Sequence, residues 1–515
     1  MDRITFRKRF ISLSLPILGL VMLFTGGYLF RVYAQSTDPT SSAANAHPAI
    51  SQSPTDTLTY SAAAYIPMIV IDPTPLPEPT LLPTLAPSPQ PTPDVQEQTV
   101  FGTGIYDLVR GAQLMADAGN SWVRPVGLDW DKVEPTEGAR NWGAVAKIEA
   151  DLREAARLKL RTVLIVHGTP AWAQKVKGSI CGPIASAKFE AFGRFLRDAV
   201  ARYTAPPFDV KYWEVWNEPD SPVRYDAQGW GCWGDPTDAY YGGRYFAQAL
   251  KVAYENIKAA NPATQVVLGG MLANCDPVRP PPGRNCASSK FFEGILLGGG
   301  GAYFDIFNFH TYDYFYSGVG QYGSENWHSS WNTTGPLLVI KGRFFKNLMQ
   351  KYNVTGKGIM NTELAVLCSS CSANSPNYEL TKAYYIAQSY AATIAEGYLA
   401  SFWFSLEGWY GTELVDANFS PKPALTAMRV GREQLGDATF VAEITSADVG
   451  TTNVAGYKFQ RDGKVVWLIW SKNGTTRTVK LNSKPATMTD ALGATFAPAN
   501  TFALTLKPIY VTWDN

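Results

Sequence analysis

Apolar and polar positions along this chain follow two rhythms. Between residues 99 and 435, short apolar β-forming runs recur at 100–105, 122–128, 162–167, 212–216, 265–269, 304–310, 358–363 and 401–406. Longer helical stretches lie between them, among them 144–158, 187–203, 241–260, 337–352 and 380–397. Strands that alternate with helices predict a parallel sheet with both faces covered, and eight such units predict an α/β fold of the closed (β/α)8 TIM-barrel type. The doubly wound open sheet is the alternative. It usually carries a Gly-rich nucleotide turn after its first strand, and Phe101-Gly102-Thr103-Gly104 lacks the rest of that fingerprint.

From 436 to 515 the rhythm shortens to β runs at 457–460, 465–470, 476–481, 486–489 and 502–505. Arg461-Asp462-Gly463-Lys464 is a hairpin turn signal. A small, β-sandwich-like C-terminal domain is expected, either as a stabilising appendage of the barrel or as a sugar-binding module.

Before residue 99 neither rhythm holds. Residues 35–98 are rich in Pro, Ser and Thr, with Pro73, Pro75, Pro77, Pro79, Pro83, Pro87, Pro89, Pro91 and Pro93 closely spaced. Proline at that density supports neither ladder nor helix, so an extended, semi-rigid linker is predicted. In residues 1–34, Arg3, Arg7, Lys8 and Arg9 precede an apolar run from Phe10 to Phe30. Basic residues ahead of an apolar segment are the pattern of an export signal. A signal peptide cleaved after Ala34 and an uncleaved transmembrane anchor both fit. Either makes the remainder extracytoplasmic, secreted or held at the cell surface by that membrane segment.

Composition narrows the ligand class. Charged residues make up 17%, aromatics 13%, and the formal net charge is +1. A nucleic-acid partner would call for a basic surface, whereas many aromatics with few charges suit neutral, stackable sugars. The six cysteines, Cys181, Cys232, Cys275, Cys286, Cys368 and Cys371, fit an oxidising compartment and permit three disulfides. Pairing in chain order is one connectivity of several. A zinc site built from the last four is a rival that lacks the usual paired spacing.

Candidate chemistry gathers where the barrel runs end, since that rim carries the active site of such barrels. The ends offer Arg124, His167, Asn217-Glu218, His310 with Tyr312, Glu363, and Trp403 with Glu407. Glu218 and Glu363 each follow an apolar strand directly. Burying a carboxylate without a partner costs several kcal/mol, so their placement points to use. Two carboxylates on two strand ends are the minimum equipment for cleaving a glycosidic bond. Glu134 and Glu137 read as solvent-facing loop acids. Trp230, Trp233, Tyr316, Trp327 and Trp331 in the intervening loops are candidate sugar-stacking faces.

Trp216-Asn217-Glu218-Pro219 with a later strand-end Glu363 resembles the clan A glycoside hydrolases, and within the clan families 39 and 5 most nearly. Leu128-Asp129-Trp130, Thr169-Pro170-Ala171-Trp172 and Pro421-Lys422-Pro423-Ala424 extend the resemblance over residues 100–430. It implies that Glu218 is the acid/base, Glu363 the nucleophile, and Asn217 a ligand of the sugar 2-hydroxyl. It also implies that Arg124 and Tyr312 support the nucleophile. His167, His310 and Trp403, taken from the same survey of strand ends, complete the expected substrate-binding set. The substrate would be a β-linked oligo- or polysaccharide, with neither metal nor organic cofactor required. Thr362 before Glu363, and Leu364-Ala365 after it, depart from the aromatic-Gly often found there. A non-catalytic carbohydrate-binding barrel and a glycan-remodelling transglycosylase are the alternatives.

Overall fold

The computed structural model describes residues 99–225, 231–315, 327–331, 336–368, 371 and 376–514. The export segment, the Pro-rich linker, Trp230 and Tyr316 lie outside the described residues. No helix among the described residues is long and apolar enough to cross a membrane.

Eight parallel strands form the barrel: β1 (Phe101–Gly104), β2 (Trp122–Arg124), β3 (Arg161–His167), β4 (Tyr212–Val215), β5 (Gln265–Leu268), β6 (Ile306–Phe315), β7 (Gly358–Leu367) and β8 (Ala400–Phe404). Each pairs with the next and β8 pairs with β1, so the sheet closes. Each strand is followed by a helix: α1 (Leu108–Asp117), α2 (Ala146–Arg157), α3 (Phe189–Tyr203), α4 (Gly243–Ala260), α5 (Phe291–Leu297), α6 (Leu337–Lys351), α7 (Pro376–Ala395) and α8 (Pro423–Leu435). Most of these helices are amphipathic, with one apolar face on the barrel. In α3, Phe189, Phe192, Phe195, Leu196, Ala199, Val200 and Tyr203 recur three and four apart and are buried.

Because side chains alternate along a strand, each barrel strand sends one set outward to the helices and the other inward. The lower interior is a plug of Trp122, Val163, Val267, Ile306, Met360, Ala400 and Phe402. Gly102 of β1 makes room for it, since a Cβ there would lie 2.9 Å from Phe402 and 3.0 Å from Trp122. The barrel is therefore filled at its base, and any site belongs at the mouth.

The C-terminal region is a six-stranded antiparallel sheet. Its order is β9 (Thr439–Glu443), β10 (Val454–Arg461), β11 (Lys464–Ser471), β16 (Ile509–Asp514), β13 (Thr487–Asp490) and β14 (Thr495–Phe496). A separate pair, β12 (Arg477–Lys480) with β15 (Thr501–Leu504), covers one face through Val479, Leu481 and Leu504. The predicted hairpin joins β10 to β11, with Asp462 and Gly463 both at positive φ as its tight turn requires. The other sheet face, with Phe459, Val466, Leu468, Trp470 and Tyr510, shares one apolar core with α1, α7 and α8. Helix α7 is accordingly buried nearly all round, including Tyr384, Tyr385, Ile386, Tyr390 and Ala391. It has barrel on one side and β sheet on the other.

Three disulfides join Cys181 to Cys232, Cys275 to Cys286 and Cys368 to Cys371. The zinc alternative for the last four is thereby excluded. Glu137 is exposed and pairs with Lys188. Glu134 corrects the loop-acid reading: it is buried, accepting from Trp130 Nε1 at 2.7 Å and pairing with Arg140.

Candidate active site

Just above the apolar plug, the same inward positions turn polar. Arg124 lies two residues beyond Trp122, Glu214 two beyond Tyr212, Asn308 two beyond Ile306, and Thr362 two beyond Met360. All four are buried. Four of the five Arg124 guanidinium N–H groups have partners among the described residues. Its Nε and Nη2 donate to Glu214 at 2.8 and 3.0 Å, Nη1 to Glu363 Oε1 at 2.7 Å, and Nη2 also to Asn217 Oδ1 at 2.7 Å. Burial works against its charge, but Glu214 and Glu363 hold it above the usual arginine range. Planar, bidentate pairing of this kind is what makes a buried ion pair tolerable. Glu214 Oε1 further accepts from Asn308 Nδ2 at 3.0 Å and from the Gly270 backbone N–H at 3.2 Å. Gly270 also clears space for His310, whose Nε2 would sit 2.0 Å from a Cβ there.

Two backbone irregularities bring the carboxylates to this platform. After β4 the chain breaks from strand geometry, with Trp216 at φ 72° and Glu218 at φ 41°. L residues seldom adopt such angles, and the surroundings must hold them. Here Trp216 is buried and donates through Nε1 to the Cys181 carbonyl at 3.1 Å. In β7, Thr362 is an extra residue against β6, where Phe309 pairs with Asn361 but His310 already pairs with Glu363. A bulge re-aims side chains, so Thr362 and Glu363 both serve the barrel mouth. Thr362 Oγ1 accepts from Asn308 Nδ2 at 2.7 Å and lies 3.1 Å from His310 Nε2.

His310 stands between the two acids. Its Nδ1 is 2.9 Å from Glu218 Oε1 and 3.5 Å from Glu363 Oε2. Tyr312 donates its hydroxyl to Glu363 Oε2. The carboxylates are thus held unequally. Glu363 has a guanidinium on one oxygen and a phenol on the other. Among the described residues Glu218 has the imidazole alone, and burial pushes its carboxyl up to about 7 against the opposing pull of Arg124 and Lys341. Burial likewise pushes His310 down to about 4, so the ring is neutral near neutrality. Burial and the adjacent Glu363 keep the Tyr312 phenol well above its ordinary value.

Arg124, Asn217, Glu218, His310, Tyr312 and Glu363 are therefore brought together. His167 stands at the same rim but apart from the carboxylate pair, with Nε2 3.2 Å from Asp129 Oδ1. Trp403 requires correction. It faces outward, fully buried against Tyr385 of α7, and spends its Nε1 on the Thr412 carbonyl at 2.8 Å. The inward residue of β8 is Phe404, whose ring meets Tyr106, Tyr312 and Trp409 at centroid distances of 5.9, 6.4 and 6.1 Å. Glu407 is tied to the backbone N–H groups of Tyr106 and Asp107 at 3.0–3.1 Å. Two loop tryptophans are core residues: Trp233 packs on Trp216 and Phe246, and Trp331 donates to the Ala273 carbonyl at 2.8 Å. Glu214, Asn308, Thr362 and Phe404 escape a reading of strand ends, although the two-residue period marks each of them.

Glu218, His310 and Glu363 are also the one group of described residues whose ligand atoms lie close enough, within 4.8 Å, to hold a metal ion. A cation there would have to share Glu363 with Arg124 and Tyr312, a donor set better matched to a pair of carboxylates used directly.

No family model matches the chain, and no curated protein matches it in sequence. Solved structures do. A family 39 glycoside hydrolase from Bacteroides cellulosilyticus superposes with a TM-score of 0.60 at 19% identity, over 81% of each chain. A family 30 endoxylanase from Clostridium papyrosolvens gives 0.53 at 14% identity, over 82% of this chain and 97% of its own. The chain has the fold of the clan A glycoside hydrolases. An α-L-arabinofuranosidase from Thermotoga maritima shares it with a TM-score of 0.51 at 10% identity, over 81% of this chain and 97% of the other.

Proposed function

We propose that this protein is a retaining glycoside hydrolase of the clan A type that cleaves a β-linked oligo- or polysaccharide, with Glu363 as nucleophile and Glu218 as acid/base. The observation that carries the reading is the unequal pair. Two glutamates, one just past the end of β4 and one at the bulge of β7, flank one imidazole, with their facing atoms within 4.8 Å. That spacing is nearer the ~5–5.5 Å of retaining enzymes than the ~6.5–9.5 Å of inverting ones.

The roles follow from the surroundings. A Glu363 oxygen bonds to the anomeric carbon as the bond to the leaving oxygen breaks. The Glu218 proton passes to that oxygen, and a carboxyl pushed up to about 7 still carries one near neutrality. In the second step a water oxygen attacks the same carbon, its proton returns to Glu218, and the glycosyl ester to Glu363 is cleaved. Two inversions leave the configuration retained. Arg124 and Tyr312 steady the Glu363 carboxylate before attack and as it leaves. Asn217, fixed by Arg124, is placed to meet the sugar beside the scissile bond. The three disulfides support an extracytoplasmic location.

The test is a digest of a glycan panel by wild type and Glu363→Gln, with product stereochemistry followed by proton NMR. Release of reducing sugar by wild type alone, first as the retained anomer, is expected. An inverted first product would overturn the assignment of roles. Binding without release would favour the non-catalytic reading.

A further inference from the structure

A second cluster of charge lies beneath the Glu218 loop, and the reaction as written makes no use of it. Lys341, one turn into α6, is 3% exposed. Its Nζ donates to the Leu272 carbonyl at 2.7 Å and to the His310 carbonyl at 2.8 Å, with the Trp331 ring 5.6 Å away. Two buried carboxylates face it. Asp220, two residues beyond Glu218, accepts the backbone N–H groups of Leu272 and Ala273 at 2.9 and 2.6 Å. Asp313 of β6 accepts from Leu337 N at 2.9 Å and Tyr385 Oη at 2.6 Å through one oxygen. Its other oxygen has no hydrogen-bond partner among the described residues. Burial pushes both acids up to about 7 and the lysine down to about 8. A desolvated cluster of this kind is costly, and core packing alone would be met by an apolar side chain.

Its position suggests a use. Lys341 ties the loop after β5 to strand β6 through the two carbonyls, and Asp220 ties the loop after β4 to the same β5 loop. One of the carbonyls belongs to His310, whose ring touches Glu218. We propose that Lys341 is a positioning residue for the acid/base: its ammonium, anchored on the Leu272 and His310 carbonyls and facing Asp220 and Asp313, holds the Glu218 loop and His310 in place and sets the charge that Glu218 experiences. The inference rests on the acid/base role given above to Glu218.

The charges facing Glu218 fix the expected signs. Arg124, Lys341 and Arg224 favour its ionised form, while Glu214 and the neighbouring Asp220 disfavour it. His310 is neutral, and the Glu363 charge is shared with Arg124 and Tyr312. Removing the lysine cation makes Glu218 harder to ionise. Removing the Asp220 charge makes it easier.

The experiment is the pH dependence of kcat/KM for wild type, Lys341→Met and Asp220→Asn on a glycoside that the wild type cleaves, with Glu218→Gln as control. Folding of each variant is checked by thermal melting. The alkaline limb is expected to move up by roughly half a unit or more in Lys341→Met and down by a similar amount in Asp220→Asn. If Lys341→Met does not fold, the downward shift in Asp220→Asn supports the proposal and a limb unmoved or raised overturns it. A uniform loss of rate with the limb unmoved in both variants means the cluster is merely structural and overturns the proposal alone. A wild-type alkaline limb that persists in Glu218→Gln overturns the acid/base assignment and this proposal with it.

Discussion

The lower and upper halves of the barrel interior are built by the same strands two residues apart, yet they obey different rules. Below, Trp122, Ile306, Met360 and Phe402 fill space by shape. Above, Arg124, Asn308, Thr362 and Glu214 fill it with hydrogen bonds. In the lower layer a lost side chain leaves a hole, and its cost scales with volume. In the upper layer a lost side chain strands its partners. The cost there is the desolvation of whatever stays unpaired. Stability is therefore spread evenly through the plug, while in the polar layer it converges on Arg124.

That contrast can be broken at Arg124 first. Arg124→Met leaves Glu214 and Glu363 buried without a countercharge, so about 3–5 kcal/mol of stability should go. Activity should fall by at least about 10³-fold as the proposed nucleophile, Glu363, loses its anchor. Urea denaturation and steady-state kinetics read the two effects. A stable variant would show that the layer does not depend on this one cation.

Glu218→Gln should lower turnover of glycosides with poor leaving groups by about 10²–10⁴-fold. It should spare first-step cleavage of an activated aryl glycoside, whose leaving group needs no proton. For wild type on an unactivated glycoside, kcat/KM should decline as pH rises past about 7, where Glu218, the proposed acid, loses its proton. In Glu218→Gln the residual activity on that glycoside should no longer show the decline. In the plug, Phe402→Ala should cost about 3–5 kcal/mol with little change in kcat per folded molecule. Its signature is a lowered melting temperature beside near-normal kinetics.

The smallest effect sharpens the comparison within β8. Phe404→Ala should raise KM roughly two- to tenfold through lost ring contact. Trp403→Phe, on the outward face, should leave KM unchanged while lowering the melting temperature. The reverse outcome would restore Trp403 as the sugar-facing residue.

How far the sequence carried can be traced residue by residue. The barrel was legible because its strands are apolar on both faces, and the breaks after them stand out. Helix α5 is the least legible of the eight, because Phe291–Leu297 is too short to show a period. The C-terminal strand Ile509–Asp514, central in its sheet, reads Ile-Tyr-Val-Thr-Trp-Asp and was passed over at the chain end. Asn217, Glu218 and Glu363 declared themselves as polar residues at strand ends. Glu214 did not, because it sits inside an apolar run, and its partner Arg124 is remote in sequence. Trp403 misleads because its side-chain type suits a sugar platform and its parity does not: Ala400, Phe402 and Phe404 share the inward face and leave Trp403 opposite. Trp233 and Trp331 misled for a related reason, since an aromatic in a loop segment need not point at the cleft. The Lys341 cluster had no signal, as its three charges come from three separate elements and meet only after folding.

The apolar cover over α7 has one more consequence. That helix emerges during synthesis long before the strands that shield its far side, and β16, in the middle of the shielding sheet, follows later still. Until then a nascent barrel exposes a greasy flank of tyrosine, isoleucine and alanine. A chain cut between α8 and β9 would keep every side chain of the candidate site and still be prone to clump, so the two parts cannot be shuffled as independent cassettes.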